Sequence, residues 1–244
     1  MLRILSERCA PTTYTEPMPR APHAAPDPGS RPDVRRWGRQ GEAEVNDRRV
    51  LEAAREVFAA QGAAAPVAAV ARRAGVGIGS LYRRYGSKEE LLQRLCLLSM
   101  EQMVAAARSA LDRDVDPWTA LVECVHMCVA LRCGALAPLA GAVPVTPEML
   151  AADAAGRELL DTLVRRAQAG GSVRADAGSV DVAHLIELFS RSHAASDIDA
   201  GDERRQQRLL ALALDGLRAV GAPPLPGEPE DPRHTGRRRR AAAR

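Results

Sequence analysis

Aromatic side chains make up only 3% of this chain: two tryptophans, three tyrosines and two phenylalanines in 244 residues. Any core must therefore be built from leucine, valine and alanine, an inventory that favours helices. Lysine is nearly missing too, since Lys88 is the single one and arginine carries the rest of the positive charge. That skew, with the abundance of alanine, is read first as the mark of a GC-rich genome. The net charge of +3 is small. The five cysteines (Cys9, Cys96, Cys124, Cys128, Cys133) are odd in number and fall mostly inside expected helices, which excludes a secreted disulfide framework. No apolar run approaches the ~20 residues of a membrane span, and the opening MLRILSERCAPTT is too short in apolar residues for a signal peptide. These absences predict a cytoplasmic chain with reduced thiols and no membrane partner. There is no nucleophile with a base partner, no motif of paired carboxylates and no phosphate loop, so neither catalysis nor a cofactor is expected.

What is present centres on residues 67–91, VAAVARRAGVGIGSLYRRYGSKEEL. Two apolar repeats at helical spacing, Val67/Val70/Ala71/Ala74 and Ile78/Leu81/Tyr82/Tyr85, are separated by little more than Gly75 and Val76. Two helices joined so tightly must cross steeply, and Gly75 stands where a left-handed helix stop is expected. The unit reads as a helix-turn-helix whose second helix is offered to a DNA major groove. Gly77 and Gly79 each cost that helix about 1 kcal/mol against alanine. They leave it without side-chain bulk, so its backbone can approach a groove while Ser80 and Arg83 reach base edges and Arg84 reaches phosphate. Ser87 and Glu90 form a capping box that opens the next helix, and Lys88 in its first turn points to an external anion such as phosphate. Gly75, Gly77 and Gly79 superficially suggest a dinucleotide-binding loop, but that chemistry needs a preceding strand and the preceding segment is helical.

Residues 47–92 resemble the DNA-binding domain of TetR/AcrR-type transcriptional regulators through Ala53-Ala54, Phe58, Gly62, Val70-Ala71, Ala74-Gly75-Val76, Leu81-Tyr82 and Ser87-Lys88, about one fifth of the chain. Residues 45–92 hold eight cations against five anions, the right sign for DNA. The resemblance implies an all-α protein with an N-terminal three-helix helix-turn-helix domain and a C-terminal helical ligand-binding and dimerisation domain. It implies a homodimer that represses promoters through a pseudopalindromic operator in double-stranded DNA and is released by a small-molecule effector. The expected DNA-facing residues are Arg48, Pro66, Gly77, Ile78, Gly79, Ser80, Tyr82, Arg83, Arg84 and Lys88. The chain departs from the family pattern where Ala65-Pro66 replaces the usual threonine or serine, Gly77 a serine, Arg84 a histidine and Tyr85 a phenylalanine. The capping hydroxyl of the second helix is thereby missing, and Arg84 is expected to supply compensating charge.

Around this unit the chain divides into a Pro/Arg-rich disordered arm (1–43), the DNA-binding domain (44–92), an effector-binding and dimerisation domain (93–221) and a disordered basic tail (222–244). Seven prolines between positions 11 and 32 forbid regular helix in the arm. Arg31, Arg35, Arg36 and Arg39 could enter a minor groove, although a solvated leader is the plainer reading. Helices are expected over 45–61, 67–74, 78–85, 87–111, 116–133, 148–169, 180–193 and 202–220, with a short one at 135–140. The effector pocket is expected among Met100, Met103, Trp118, Cys124, Met127, Cys128 and His184, suiting an apolar ligand. The last helix has two apolar faces, Leu209/Leu212/Ala213 and Leu210/Leu214/Leu217, so it is expected to be sandwiched: one side can face its own domain and the other a partner chain, as in the dimer the resemblance implies, with a central core helix of a monomer as the alternative. The expected dimer interface is Leu185, Phe189, Leu210, Leu214 and Leu217. Cys124 and Cys128 share a helix face that His126 cannot join, and Cys96 or His184 could complete a metal or thiol site. Buried thiols acting as small apolar residues are the plainer reading, so no metal site is assigned.

Overall fold

The computed structural model of the chain describes residues 34–139, 141–192, 200–218 and 223–230. The chain divides into two compact units, residues 1–41 and 42–244; of the first, the described part is the start of one helix, and the account below concerns the second. Eight α-helices occur among the described residues: α1 (Val34–Gln61), α2 (Val67–Ala74), α3 (Ile78–Tyr85), α4 (Lys88–Leu111), α5 (Pro117–Ala130), α6 (Pro147–Ala169), α7 (Ser179–Ser192) and α8 (Ala200–Gly216). A 3-10 turn at Ala137–Leu139 and an isolated bridge between Val173 and Arg218 complete the picture, and no strand is formed among these residues.

Helix α1 corrects the sequence reading, because it starts at Val34 and not near residue 45. No proline lies between Pro32 and Pro66, and the residues between are rich in Arg, Glu, Gln and Ala, so Gly38 and Gly41 alone do not stop the helix. Arg35, Arg36 and Arg39 are thus helical, while Arg31 lies outside the described residues, as does the basic end of the tail beyond residue 230. At the other end α8 stops at Gly216, short of residue 220. There Arg174 N donates to Leu217 O at 3.0 Å and Val173 bridges Arg218, which draws the chain out of helical geometry.

The helix ends follow their sequence signals. Gly75 takes a left-handed conformation (φ 69°, ψ 29°) after α2, and Ser87 caps α4 by accepting from Glu90 N at 3.0 Å. Asp116 caps α5 through Thr119 N, Thr146 caps α6 through Met149 N, and a proline fills the first turn of each. Neither Pro66 before α2 nor Gly77 before α3 supplies a side-chain cap, as the sequence indicated.

Two hydrophobic cores result. One joins α4, α5, α6, α7 and α8 around Leu121, Val125, Leu163, Val164, Val182 and Ile186. The other lies in the helix-turn-helix head around Phe58, Val70, Leu81, Leu91 and Leu95. The head does not close its core alone: Leu136, Leu139 and Val143, from the connection between α5 and α6, are buried in it. That connection begins with a Schellman turn in which Cys133 N donates to Cys128 O and Arg132 N to Val129 O, both at 2.9 Å. Arg132 occupies the left-handed position (φ 56°), where glycine is usual. Gly134 follows because α7 is so close: a Cβ there would lie 2.5 Å from Glu187 Cα.

Since Phe58 is fully buried, Phe58→Ala is expected to cost about 3 to 5 kcal/mol. Leu136→Ala is expected to cost about 2 to 5 kcal/mol although it lies over forty residues beyond the head. Urea denaturation followed by circular dichroism checks both; a Leu136→Ala variant as stable as the parent would show that the connection does not support the head.

Candidate nucleic-acid interface and cavity

Helix α3 buries Leu81 and Tyr85 and turns Ile78, Gly79, Ser80, Tyr82 and Arg83 outward, with Gly77 exposed just before them. Ile78 and Tyr82 are 45% and 46% exposed, a high figure for large side chains on a packed helix. Arg83 Nη2 donates to Ser80 Oγ at 2.9 Å, so the two candidate base readers form one polar group. A Cβ on Gly77 or Gly79 would meet nothing nearer than 3.9 Å and 3.6 Å, ordinary van der Waals contact. No packing among the described residues requires glycine at either position. Arg48 on α1 and Pro66 before α2 are exposed as well. Lys88 is half-buried, its ammonium 5.9 Å from the centroid of the Phe58 ring, a cation–π geometry at the long end of the useful range.

Arg84 is exposed, but its guanidinium is tied back to the head. Its Nε donates to Asp47 on α1, and Tyr85 OH donates to the same carboxylate oxygen. The phosphate contact expected of Arg84 therefore competes with an ion pair that ties α3 to α1. Burial alone would push the Asp47 carboxyl up, but the hydrogen bonds from Arg84 and Tyr85 outweigh it and hold that carboxyl below its ordinary value. Burial, reinforced by the bond to Asp47, pushes Tyr85 up to about 12.

A cavity of about 230 Å³ lies between α4, α6, α7 and the α5–α6 connection. Met100, Met103, Leu136, Leu139, Val143, Met149, Leu160 and Val180 give it a largely apolar wall. Its polar side chains are Ser99, the Asp153–Arg157 ion pair (2.5 Å), Ser179, His184 and Glu187. Of the seven pocket residues expected from sequence, Met100, Met103 and His184 line it. The other four do not. Cys124 and Cys128 are buried in the helical core, Trp118 packs against that core under the Arg218 guanidinium (4.9 Å from the ring centroid), and Met127 is 52% exposed. The cause is the side of α5 that is used: its buried stripe of Leu121, Cys124, Val125 and Cys128 meets the other helices of its own core, and the cavity forms beyond the helix's end.

The residues expected at a dimer interface lie in or against the chain's own core. Leu210, Leu214, Leu217 and Phe189 are buried in their own core, with Leu185 packed against it, whereas Leu209 and Leu212 are 52% and 65% exposed and Leu188 is 51% exposed. Of the two apolar faces of α8, the one with Leu210, Leu214 and Leu217 packs on its own domain and the one with Leu209 and Leu212 is exposed. The sequence reading missed Arg55, which joins three elements: Nη1 donates to Leu131 O at 2.6 Å and Nη2 to Gln102 Oε1 at 2.9 Å, linking α1 to the end of α5 and to α4. Cys96 and Cys133 line the cavity, and Cys133 touches Cys128. Among the described residues no group of three His, Cys, Asp or Glu side chains is arranged to hold a metal ion.

Residues 50–95 match the family of bacterial regulatory proteins of the tetR type, and residues 116–219 match the C-terminal domain of SbtR-like transcriptional regulators. Among solved structures, a TetR transcriptional regulator of Streptomyces coelicolor is 25% identical, with 72% of this chain and 99% of that one covered and a TM-score of 0.50. A TetR regulatory protein of Mycobacterium vanbaalenii is 29% identical over 74% of this chain and 99% of that one, again with a TM-score of 0.50. The fold is shared with a gamma-butyrolactone receptor of the ArpA-like type, at 21% identity over 73% of this chain and 91% of that one, TM-score 0.50.

The Asp47–Tyr85 bond yields a test in pH. Tyr85 is raised from 10.0 to about 12 in the folded head, so its neutral phenol contributes fully below pH 10 and that contribution is lost as pH rises through 12. Asp47 runs the other way: its contribution is present above 3.8 and lost as pH falls through its lowered folded value. Tyr85→Phe is expected to cost about 1 to 3 kcal/mol at neutral pH, and the gap from the parent should narrow between pH 10 and 12. Urea denaturation across that range measures it, and a gap that stays constant would remove Asp47 as the partner.

Proposed function

Since this chain belongs to the TetR family of transcriptional regulators, we propose that it is a repressor that grips a pseudopalindromic operator as a homodimer and lets go when a small molecule fills the cavity. The observation that carries the reading is the shared connection between α5 and α6. Leu136, Leu139 and Val143 belong to the core of the DNA-binding head and also line the cavity, so an occupant that shifts one shifts the other. Arg55 supports the same coupling, because it ties α1 to the carbonyl at the end of α5.

On the DNA side, the bare start of α3 lets its backbone approach base edges, Ser80 and Arg83 read them, and Ile78 and Tyr82 add apolar contact. Arg48, Pro66 and Lys88 flank that face and anchor the phosphate backbone. Arg84 serves chiefly to orient α3 through Asp47. The mainly apolar cavity suits a small apolar molecule whose polar end meets Asp153, Arg157 or His184. The exposed apolar residues Leu188, Leu209 and Leu212 on α7 and α8 support the second copy's contact.

Selection of random duplex DNA by the full chain at near-physiological salt tests the reading. A two-fold symmetric consensus is expected, and sequence-blind retention that fades with salt would overturn it in favour of a ligand-binding protein whose helix-turn-helix no longer reads sequence. Against the selected site, Arg83→Ala should cost about 1 to 3 kcal/mol and relax specificity at one position. Lys88→Ala should weaken all sequences alike and lower the salt slope by ~1. Identical behaviour of the two variants would remove the division into base reader and phosphate anchor.

A further inference from the structure

Three of the chain's thiols meet at the end of α5, and the function proposed above uses none of them. Cys124 and Cys128 are one helical turn apart and fully buried. The Schellman turn then folds the chain back so that Cys133 contacts Cys128, the pairing of positions that this turn normally fills with two apolar side chains. Cys133 is also part of the cavity wall, so it has a buried thiol behind it and the ligand space in front.

Its surroundings increase its thiolate character, the nucleophilic form, relative to an ordinary buried thiol. The hydrogen bond from Cys128 holds Cys133 below the ordinary thiol value; burial opposes this, and the nearby Arg55 guanidinium assists it. Arg55 is half-buried, and its Nε has no hydrogen-bond partner among the described residues. Cys96 provides an internal comparison. It lines the same cavity and is the more exposed of the two, but desolvation pushes it up to about 11, away from the thiolate.

We propose that the cavity takes a soft carbon electrophile, a small apolar α,β-unsaturated carbonyl compound, and that Cys133 captures it as a thioether. Resting on the reading of the cavity as the effector site, this names the chemistry of the effector. The Cys133 thiolate forms a bond from Sγ to the β-carbon. The carbon–carbon π pair moves onto the carbonyl as an enolate, and the α-carbon then takes a proton from water. The sum is addition of S–H across a double bond, so no oxidant or reductant is consumed. An apolar wall concentrates such a compound, whereas a hydroperoxide would gain little from it.

The adduct is placed to act on the head. Gly134, the next residue, lies against the α7 backbone with no room for even a Cβ. A group added at Cys133 therefore cannot be absorbed toward α7, and it displaces the connection that carries Leu136 and Leu139 into the head's core.

The test treats the full-length protein with limiting N-ethylmaleimide, maps adducts by peptide mass spectrometry, and measures affinity for the selected operator before and after. Cys133 is expected to be labelled about tenfold faster than Cys96. Cys133→Ser should abolish the fast adduct and Cys96→Ser should leave it. Operator affinity should fall about 5- to 150-fold in the labelled parent, with helical circular dichroism unchanged, and should hold in Cys133→Ser. Labelling of Cys96 at the same rate or faster would overturn the proposal. So would Cys133 labelling without loss of operator affinity, or loss only alongside loss of helicity. Reaction only with hydroperoxide, giving a Cys128–Cys133 disulfide, would overturn the carbon-electrophile assignment. If the protein selects no operator, the regulator reading fails while adduct mapping still reports on the thiol; if it selects one and Cys133 is inert, this inference alone falls.

Discussion

The head of this protein cannot bury its own apolar surface. Helices α1 to α3 are short of large side chains, with Phe58 and Tyr85 the two aromatics in their core, and the remaining space is filled by Leu136, Leu139 and Val143 from over forty residues downstream. Each fully buried side chain of that kind contributes about 1.5 to 3 kcal/mol. The position of the connection between α5 and α6 is therefore set by the head on one side and by the cavity on the other. Arg55 fixes the same join by a polar route, through the carbonyl of Leu131 and the amide oxygen of Gln102. Gln93 adds a third tie, donating from α4 to Pro144 O at 3.0 Å.

Much in the remaining architecture accommodates that seam. α5 ends in a left-handed turn at Arg132, where a non-glycine residue is unusual, because the chain has to reverse at once to reach the head. Gly134 must lack a side chain because α7 closes the far side. By contrast, Gly79 in α3 and Gly77 at its N-cap have no close neighbour among the described residues, and the cost of about 1 kcal/mol in helix propensity at Gly79 is not offset by packing there. The space around a Cβ separates a glycine that packing requires from one that it does not, a distinction that helix propensity alone does not carry.

The helical plan was legible in the sequence because it rests on local signals: 3.6-residue periodicity, Asp116-Pro117, Thr146-Pro147, Ser87 with Glu90, and Gly75. The start of α1 was misjudged because the proline-rich arm ends at Pro32 while its polar, arginine-rich composition continues into the helix. Site residues were harder where tertiary contact decides. Residues 134–145, GALAPLAGAVPV, suggest no more than a short helix and a loop, and no local signal in them shows that Leu136, Leu139 and Val143 are buried against the head. The choice between the two apolar faces of α8 is not local at all: Leu210 and Leu209 look alike until α7 is packed against one of them. Arg55 gave no signal, since a helical arginine reads as solvated until a carbonyl from elsewhere meets it.

The energies of the seam constrain how any occupant of the cavity could act on DNA binding. Coupling between two sites in one protein usually amounts to about 1 to 3 kcal/mol. The burial of Leu136, Leu139 and Val143 together exceeds that, so an occupant need not eject the connection from the head's core. Loosening the contact of one side chain, or stretching the Arg55–Leu131 bond, supplies a change of the right size. A larger displacement would unfold the head instead of switching it, because the head has no second source of apolar cover. A molecule that merely filled the cavity without moving its wall would bind both states equally and shift nothing. An occupant that switches the head would therefore have to move the connection itself, at Leu136 and Leu139, wherever else along the cavity it is held.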